Sequence, residues 1–265
     1  MIVALHQLTA ALYLVAGVLA GVGLVLTRPT LSRAAVAVLV AGACLHGVAF
    51  VAFHLASEPP PLTDLPASVS LMAFLGVLFY LALLMRSRLT ALVVGVAPMA
   101  FLGVFFAALR LPHSERAPFV GAASSWPHAH VLLASGGLAA LAVACLAGIV
   151  FLAEDRRLKA KRPMSVRLHL PSLEALDRVN AVALVVGFPL LTLGVLTGVM
   201  WVEGTSGRFW TWAAHETWSF VAWAVYAVLV AARFRAHQGA RWAAIFAVAG
   251  FAFLLFAVIG VGLLT

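Results

Sequence analysis

Eight mainly apolar stretches follow one another along the chain. Each is close to the twenty or so residues that a helix needs to cross the hydrocarbon of a bilayer. They are roughly Leu5–Leu26, Ala34–His54, Val69–Met85, Leu89–Leu109, His130–Ala153, Val179–Val202, Glu216–Ala232 and Trp242–Leu264. Proline, charge or both break the chain between them, at Thr27-Arg28-Pro29, Glu58-Pro59-Pro60-Pro61, Arg86-Ser87-Arg88 and from Arg110 to Pro127. The longest polar stretch, Glu154 to Arg178, shows no sign of a separate soluble domain. The pattern therefore predicts an all-α polytopic transmembrane bundle of about eight helices, forming a single integral membrane domain over residues 1–265. The first stretch lacks a positive leading segment and an A-x-A cleavage site, so it reads as a retained helix and not a signal peptide.

Composition supports lipid as the solvent. The chain is 64% hydrophobic and 10% charged, with a mean hydropathy of +1.09. Soluble domains carry roughly 25% charged residues. A net charge of +8 suggests nucleic acid at first sight, but the basic residues sit in short connections between apolar runs, so nucleic acid is excluded as a partner and membrane lipid is expected. Their placement instead sets topology. Connections after helices 1, 3, 5 and 7 hold 14 Lys and Arg, and the opposite side holds only Arg110, Arg116 and Arg208. The positive-inside rule then places both termini outside. Cys44 and Cys145 lie in apolar runs and form no CxxC pair, so they read as small buried residues without a redox role.

In that topology six of the nine histidines fall at the outer boundary: His6, His54, His113, His128, His130 and His215. His169 and His237 fall on the cytoplasmic side. His46 lies within helix 2, where an unpaired imidazole is costly, so it should face the bundle and bond a neighbouring helix backbone. Four of the seven tryptophans, Trp210, Trp212, Trp218 and Trp223, fall within fourteen positions, beside His215, Glu216 and Arg208. An aromatic belt at the headgroup level explains isolated tryptophans at helix ends. Density of this kind suits a large planar ligand such as haem: imidazole for the iron, indoles for the porphyrin faces, and Arg208 for a propionate. His128 and His130 are two apart, about 200° on a helix, so they cannot both face one ligand if both are helical. No carboxylate or third histidine stands at a recognisable spacing for a separate zinc or copper site.

Three stretches resemble the membrane cytochrome c assembly proteins of the CcsA/CcmC haem-handling type: Leu176-Asp177-Arg178 with Gly187-Phe188-Pro189-Leu190-Leu191-Thr192-Leu193-Gly194, the run Gly207 to Trp218 with Trp223, and His130-Val131 after Trp126. His54 followed by Pro61-Leu62 and Leu65 adds a weaker likeness. The likeness is greatest over a region of about residues 120–265. It implies a tryptophan-rich loop that faces the periplasm or outside from the cell's inner membrane and holds haem b. Implied contacts are Trp210, Trp212, Trp218 and Trp223, with His130 and His54 as iron ligands, and the chemistry of the same run adds His215 and Arg208. It also implies apocytochrome c and a second assembly membrane protein as partners, and an accessory role without catalytic side chains. The chain departs from the family at Ala213, where an acidic residue is usual, and at Ala231, where a histidine is common. The family's external histidine after the last helix finds no counterpart before Thr265, so His215, His128 or His6 would have to substitute. These departures keep a second expectation open, a non-catalytic membrane regulator, for example of tetrapyrrole synthesis, that retains the fold without haem transfer.

Overall fold

Each apolar stretch becomes a helix in the computed structural model, which describes residues 1–55, 62–86, 89–111, 125–160, 171–235 and 239–257. The elements are α1 (Ile2–Val25), α2 (Pro29–His54), α3 (Leu65–Arg86), a short 3₁₀ turn (Thr90–Leu92), α4 (Val93–Arg110), α5 (Trp126–Lys159), α6 (Leu173–Ser206), α7 (Ala214–Phe234) and α8 (Ala240–Leu255). No strand occurs among the described residues. Seven helices are long and apolar enough to cross a membrane, and α8 is a shorter apolar helix over its described part, so the chain is a polytopic membrane protein. His113, His169, His237, Arg116, Lys161, Arg162, Arg167, residues 58–61 and residues 262–265, singled out above, lie outside the described residues.

Helices α5 and α6 are each 34 residues, well beyond their apolar stretches. At about 1.5 Å per residue each runs to about 51 Å, past the width of the hydrocarbon. The extra turns are polar. Glu154–Arg157 and Asp155–Lys159 pair at i,i+3 and i,i+4 spacing (3.4 and 2.9 Å) at the end of α5. Ser172 caps α6, its Oγ accepting the Ala175 N–H at 3.2 Å, with Glu174 in the first turn.

The helices divide into two compact units, α1–α4 and α5–α8, with α6 entering the second from Leu176. In the first, α1 packs against α2 and α4, and α3 against α4. Contacts are made through small residues: Gly42 faces the Tyr13 ring and Gly17 faces Pro98, so close that a Cβ on Gly42 would lie 2.7 Å from a ring carbon. Large apolar side chains such as Leu14, Val18, Val48 and Val51 point outward, the arrangement expected where lipid is the solvent. The expectation for His46 holds in part. It is fully buried in the unit, but its partners are side chains, Tyr13 and Ser70, and not helix backbone.

The second unit is built around α5. Gly137 lies against the Leu191 backbone, Gly187 against Leu141, and Gly194 against Ala134, bringing α5 and α6 into close contact. Gly148 seats the carbonyl of Ala244 from α8. Asn180 donates to the Ala144 carbonyl at 3.1 Å, a polar link in an otherwise apolar face. Leu141, Leu184, Leu191, Tyr226 and Phe251 fill the core.

Candidate functional site

Both His128 and His130 are helical, in the second and fourth turn-residues after Trp126 opens α5, so they diverge. His128 is exposed, and His130 faces α6. His130 Nδ1 lies 2.8 Å from the Gly194 carbonyl. A carbonyl only accepts, so Nδ1 carries the proton and donates it, and the neutral ring keeps its lone pair on Nε2. Gly198, one turn further along α6, makes room for the ring. A Cβ there would stand 2.9 Å from Nδ1 and 3.0 Å from Cε1. Trp201 flanks the imidazole, with ring centres 5.8 Å apart.

Gly207 ends α6 at φ +68°, its N–H donating to the Glu203 carbonyl at 2.8 Å. Only glycine takes that left-handed position without strain. The loop then runs through Trp210 and Trp212 into α7, whose third residue is Glu216. The Glu216 carboxylate accepts the Thr211 N–H at 2.8 Å and the Thr211 hydroxyl at 2.5 Å. The N–H groups of Trp212 and Ala213 also point to it. One side chain in the first turn of α7 thus gathers the donors of the preceding loop, as an N-terminal cap does. Within this cradle Trp212 sits at φ +63°, a left-handed conformation that is an outlier for a bulky residue, and it is 81% exposed.

A cavity of about 420 Å³ opens between α5, α6, the loop and α7. His130, Trp201, Phe209, Trp210, His215, Glu216 and Phe220 line it together with Gly198. Its volume falls within the range usual for small-molecule sites, about 300–1,000 Å³. The indole N–H of Trp210 is buried there without a hydrogen-bond partner among the described residues.

Of the eight residues expected to contact haem, three, His130, Trp210 and His215, come together at this cavity. The other five lie elsewhere. Trp223 is part of the core, its indole N–H donating to Thr192 Oγ1 at 3.0 Å while its ring stacks between Phe188 and Phe220. Trp218 turns toward Phe253 and Phe256. Arg208 and Trp212 are exposed and do not line the cavity. His54 ends α2 in the first unit, and is exposed. His6, a candidate substitute ligand, is buried in the first unit with both ring nitrogens engaged. Glu216 stood only as a neighbour of the tryptophans in the sequence, and Gly198 was not a candidate. A carboxylate in the first turn of a helix is a readable signal for the former. Nothing in the sequence distinguishes Gly198 from the other glycines of α6.

Comparison with known proteins bears on this arrangement. A sequence profile described as Cytochrome C assembly protein matches residues 62–265. The chain belongs to the cytochrome c assembly protein family. Among its relatives are proteins named cytochrome c biogenesis protein CcsA. The one from Synechococcus sp. (strain CC9902) is 34% identical over 56% of this chain and 56% of its own length. The one from Microcystis aeruginosa (strain NIES-843 / IAM M-2473) is 32% identical over 49% of this chain and 36% of its own. The one from Prochlorococcus marinus (strain MIT 9515) reaches 41%, over 34% and 29%. The chain thus spans about a third to about half of the length of the curated relatives it matches. Every cavity-lining residue falls inside the family's matched stretch, while α1 and α2 precede it.

Proposed function

We propose that this family member holds haem at the outer face of the inner membrane, in the cavity between His130 and the tryptophan-rich loop, for attachment to apocytochrome c. The observation that carries the proposal is the state of His130. Its Nδ1–H is committed to Gly194, so an unprotonated Nε2 remains on a ring that borders an aromatic cavity. Ligand histidines are typically held in this way, by a carbonyl on the other ring nitrogen. No three His, Cys, Asp or Glu side chains cluster as a metal site among the described residues. A metal that brings its own equatorial nitrogens, as porphyrin iron does, needs only axial ligands from the chain. His130 supplies one, and His215 on the same cavity is the candidate for the other. Trp210, Trp201 and Phe220 offer aromatic surface to the macrocycle, and the unpartnered Trp210 N–H offers a donor to a carboxylate at its edge.

In this reading the protein's own residues orient and shield their cargo and leave the chemistry to it. Attachment itself adds a cysteine S–H of the apocytochrome across a haem vinyl group, sulfur to one carbon and hydrogen to the other. It needs no acid–base residue from this chain. The exposed, cradled loop leaves one side of the site open to a partner.

Purification of the full chain in detergent tests the proposal. The expected result is a Soret band with a b-type pyridine haemochrome, reduced by at least about tenfold in His130→Ala and weakened in Trp210→Ala without loss of membrane insertion. Full haem occupancy in His130→Ala would exclude this residue as ligand. A colourless protein that also fails to take up added haemin would leave the non-catalytic regulatory role in its place.

A further inference from the structure

The first unit contains four buried polar side chains that form one continuous line. His6 is 1% exposed, and Tyr13, His46 and Ser70 0% or nearly so. His6 Nδ1 lies 3.0 Å from the Ile2 carbonyl, and His6 Nε2 lies 3.1 Å from Ser70 Oγ. Ser70 Oγ lies 2.9 Å from His46 Nε2, and His46 Nδ1 lies 3.2 Å from the Tyr13 hydroxyl. Counting protons fixes every direction. The Ile2 carbonyl only accepts, so His6 Nδ1 is the donor and His6 Nε2 bears the lone pair. Ser70 has one hydrogen and gives it to His6 Nε2. Ser70 Oγ then accepts, so His46 Nε2 is the donor and His46 Nδ1 the acceptor, and Tyr13 donates to it. An imidazolium at either histidine would break this count. It would also be a buried cation, and no carboxylate is among the buried polar groups.

All four donors therefore point the same way along α1, from Tyr13 toward Ile2. We propose that Tyr13, His46, Ser70 and His6 form a proton relay, exchanging protons between water at the start of α1 and the level of Tyr13, about 16 Å along the helix. The step balances with hydroxide as its one co-reactant, which becomes water as its charge passes to Tyr13. Hydroxide takes the His6 Nδ1 proton, His6 Nε2 takes the Ser70 hydrogen, Ser70 takes the His46 Nε2 hydrogen, and His46 Nδ1 takes the Tyr13 hydrogen. One proton leaves and the phenol becomes phenolate. The reverse passage restores the resting state, so no ring has to turn. This matters because His46 is gripped between Phe50 and Phe74, at 5.2 and 5.0 Å between ring centres. The His6–Ile2 bond, the only part-buried link of the four, is the mouth of the relay. The relay stands apart from the haem reading: three of its four residues precede the stretch that matches the family.

NMR of the full chain, labelled with ¹⁵N-histidine and held in lipid nanodiscs, tests it. The expected tautomers are Nδ1–H for His6 and Nε2–H for His46. On transfer to D₂O the His6 Nδ1–H should exchange at the mouth, because the Tyr13 proton reaches His6 through the line as the outer one leaves. Ser70→Ala, which breaks the line, and Tyr13→Phe, which has no proton to give, should each slow that exchange by at least about tenfold, and Ser70→Thr, which keeps the hydroxyl, should restore it. Exchange at the wild-type rate in Ser70→Ala or in Tyr13→Phe overturns the proposal. The tautomers need no variant, so a His46 proton found on Nδ1 overturns it even if Ser70→Ala fails to fold.

Discussion

Histidine is buried in both units, in opposite ways. In the first, all four ring nitrogens of His6 and His46 have partners, the rings touch each other and Phe50, and neither lines the cavity at Ala20 and Gly23. In the second, Gly194 holds one nitrogen of His130, and no described residue takes the other, which belongs to a ring beside a cavity. An unpaired polar atom in a membrane bundle is costly, so proteins retain it where something else will pair with it. A closed hydrogen-bond chain and a ring nitrogen left open beside a cavity are two arrangements of the same side chain. Neighbours that differ by a hydroxyl or a glycine decide between them.

The largest expected effect tests the open end. Gly198→Ala places a methyl 2.9 Å from His130 Nδ1 and so pushes the ring off Gly194. Haem occupancy should fall by about ten- to a hundredfold, the usual range for disturbing the group that orients a metal ligand. Gly204→Ala, with nothing within 4 Å, is the matched control and should keep full occupancy. Equal occupancy in both variants, read from the Soret band, would show that the His130 orientation does not matter.

The closed end responds in stability instead. His46→Leu leaves Tyr13 and Ser70 without their imidazole partner. Interhelical hydrogen bonds in membrane proteins average about 0.6 kcal/mol and reach about 1.7, so two lost bonds should destabilise the chain by about 1–2 kcal/mol. Thermal unfolding in detergent should register the loss, while haem uptake stays at the wild-type level. Loss of haem in His46→Leu at temperatures where the fold persists would mean that the two histidine sites are coupled.

These contrasts were only partly legible in the sequence. Eight apolar stretches gave eight helices, because lipid demands a continuous run of apolar residues and the chain supplies it. Helix ends were harder: α5 and α6 run on through charged turns that pair their own residues, where hydropathy carries no signal. For the site, proximity in sequence misled. Trp218 and Trp223 are five positions apart on α7, about 140° around its axis, so they cannot both face one ligand, and they turn to different neighbours. Trp210 and His215 were named from the tryptophan-rich run and His130 from the family resemblance, and the structure places them on one cavity. The partners of His46 were not readable, since Tyr13 and Ser70 lie on other helices and their register against His46 is a product of packing.

A smaller effect is expected from the loop that separates the cavity from the solvent. Glu216→Ala releases the Thr211 N–H and hydroxyl, a loss comparable to that of a helix cap, about 0.5–2 kcal/mol. Loop order and not ligation is lost, so haem binding should weaken by about fivefold, the equivalent of about 1 kcal/mol. Glu216→Gln keeps one acceptor oxygen and should lie between. A titration with haemin separates these outcomes. A tenfold or greater loss in Glu216→Gln would point to a direct contact of the carboxylate with the ligand.

The smallest expected change in stability is also the most informative about Trp212. Its positive φ costs on the order of 1 kcal/mol, the lower end for such conformers. Glycine would remove that strain but lose about 0.5–1 kcal/mol to its own chain entropy. Trp212→Gly should therefore unfold within a degree or two of the wild type. Because the indole does not line the cavity, haem occupancy should also be unchanged. A strained, exposed aromatic residue suits a surface that meets a partner, so under the proposed function the variant should transfer haem to apocytochrome c more slowly in a reconstituted attachment assay. Trp210→Ala should do the reverse, losing haem before transfer can be measured. A drop in occupancy in Trp212→Gly would bring the exposed indole back to the porphyrin, and would show that the site closes over its cargo beyond the cavity between α5, α6 and α7.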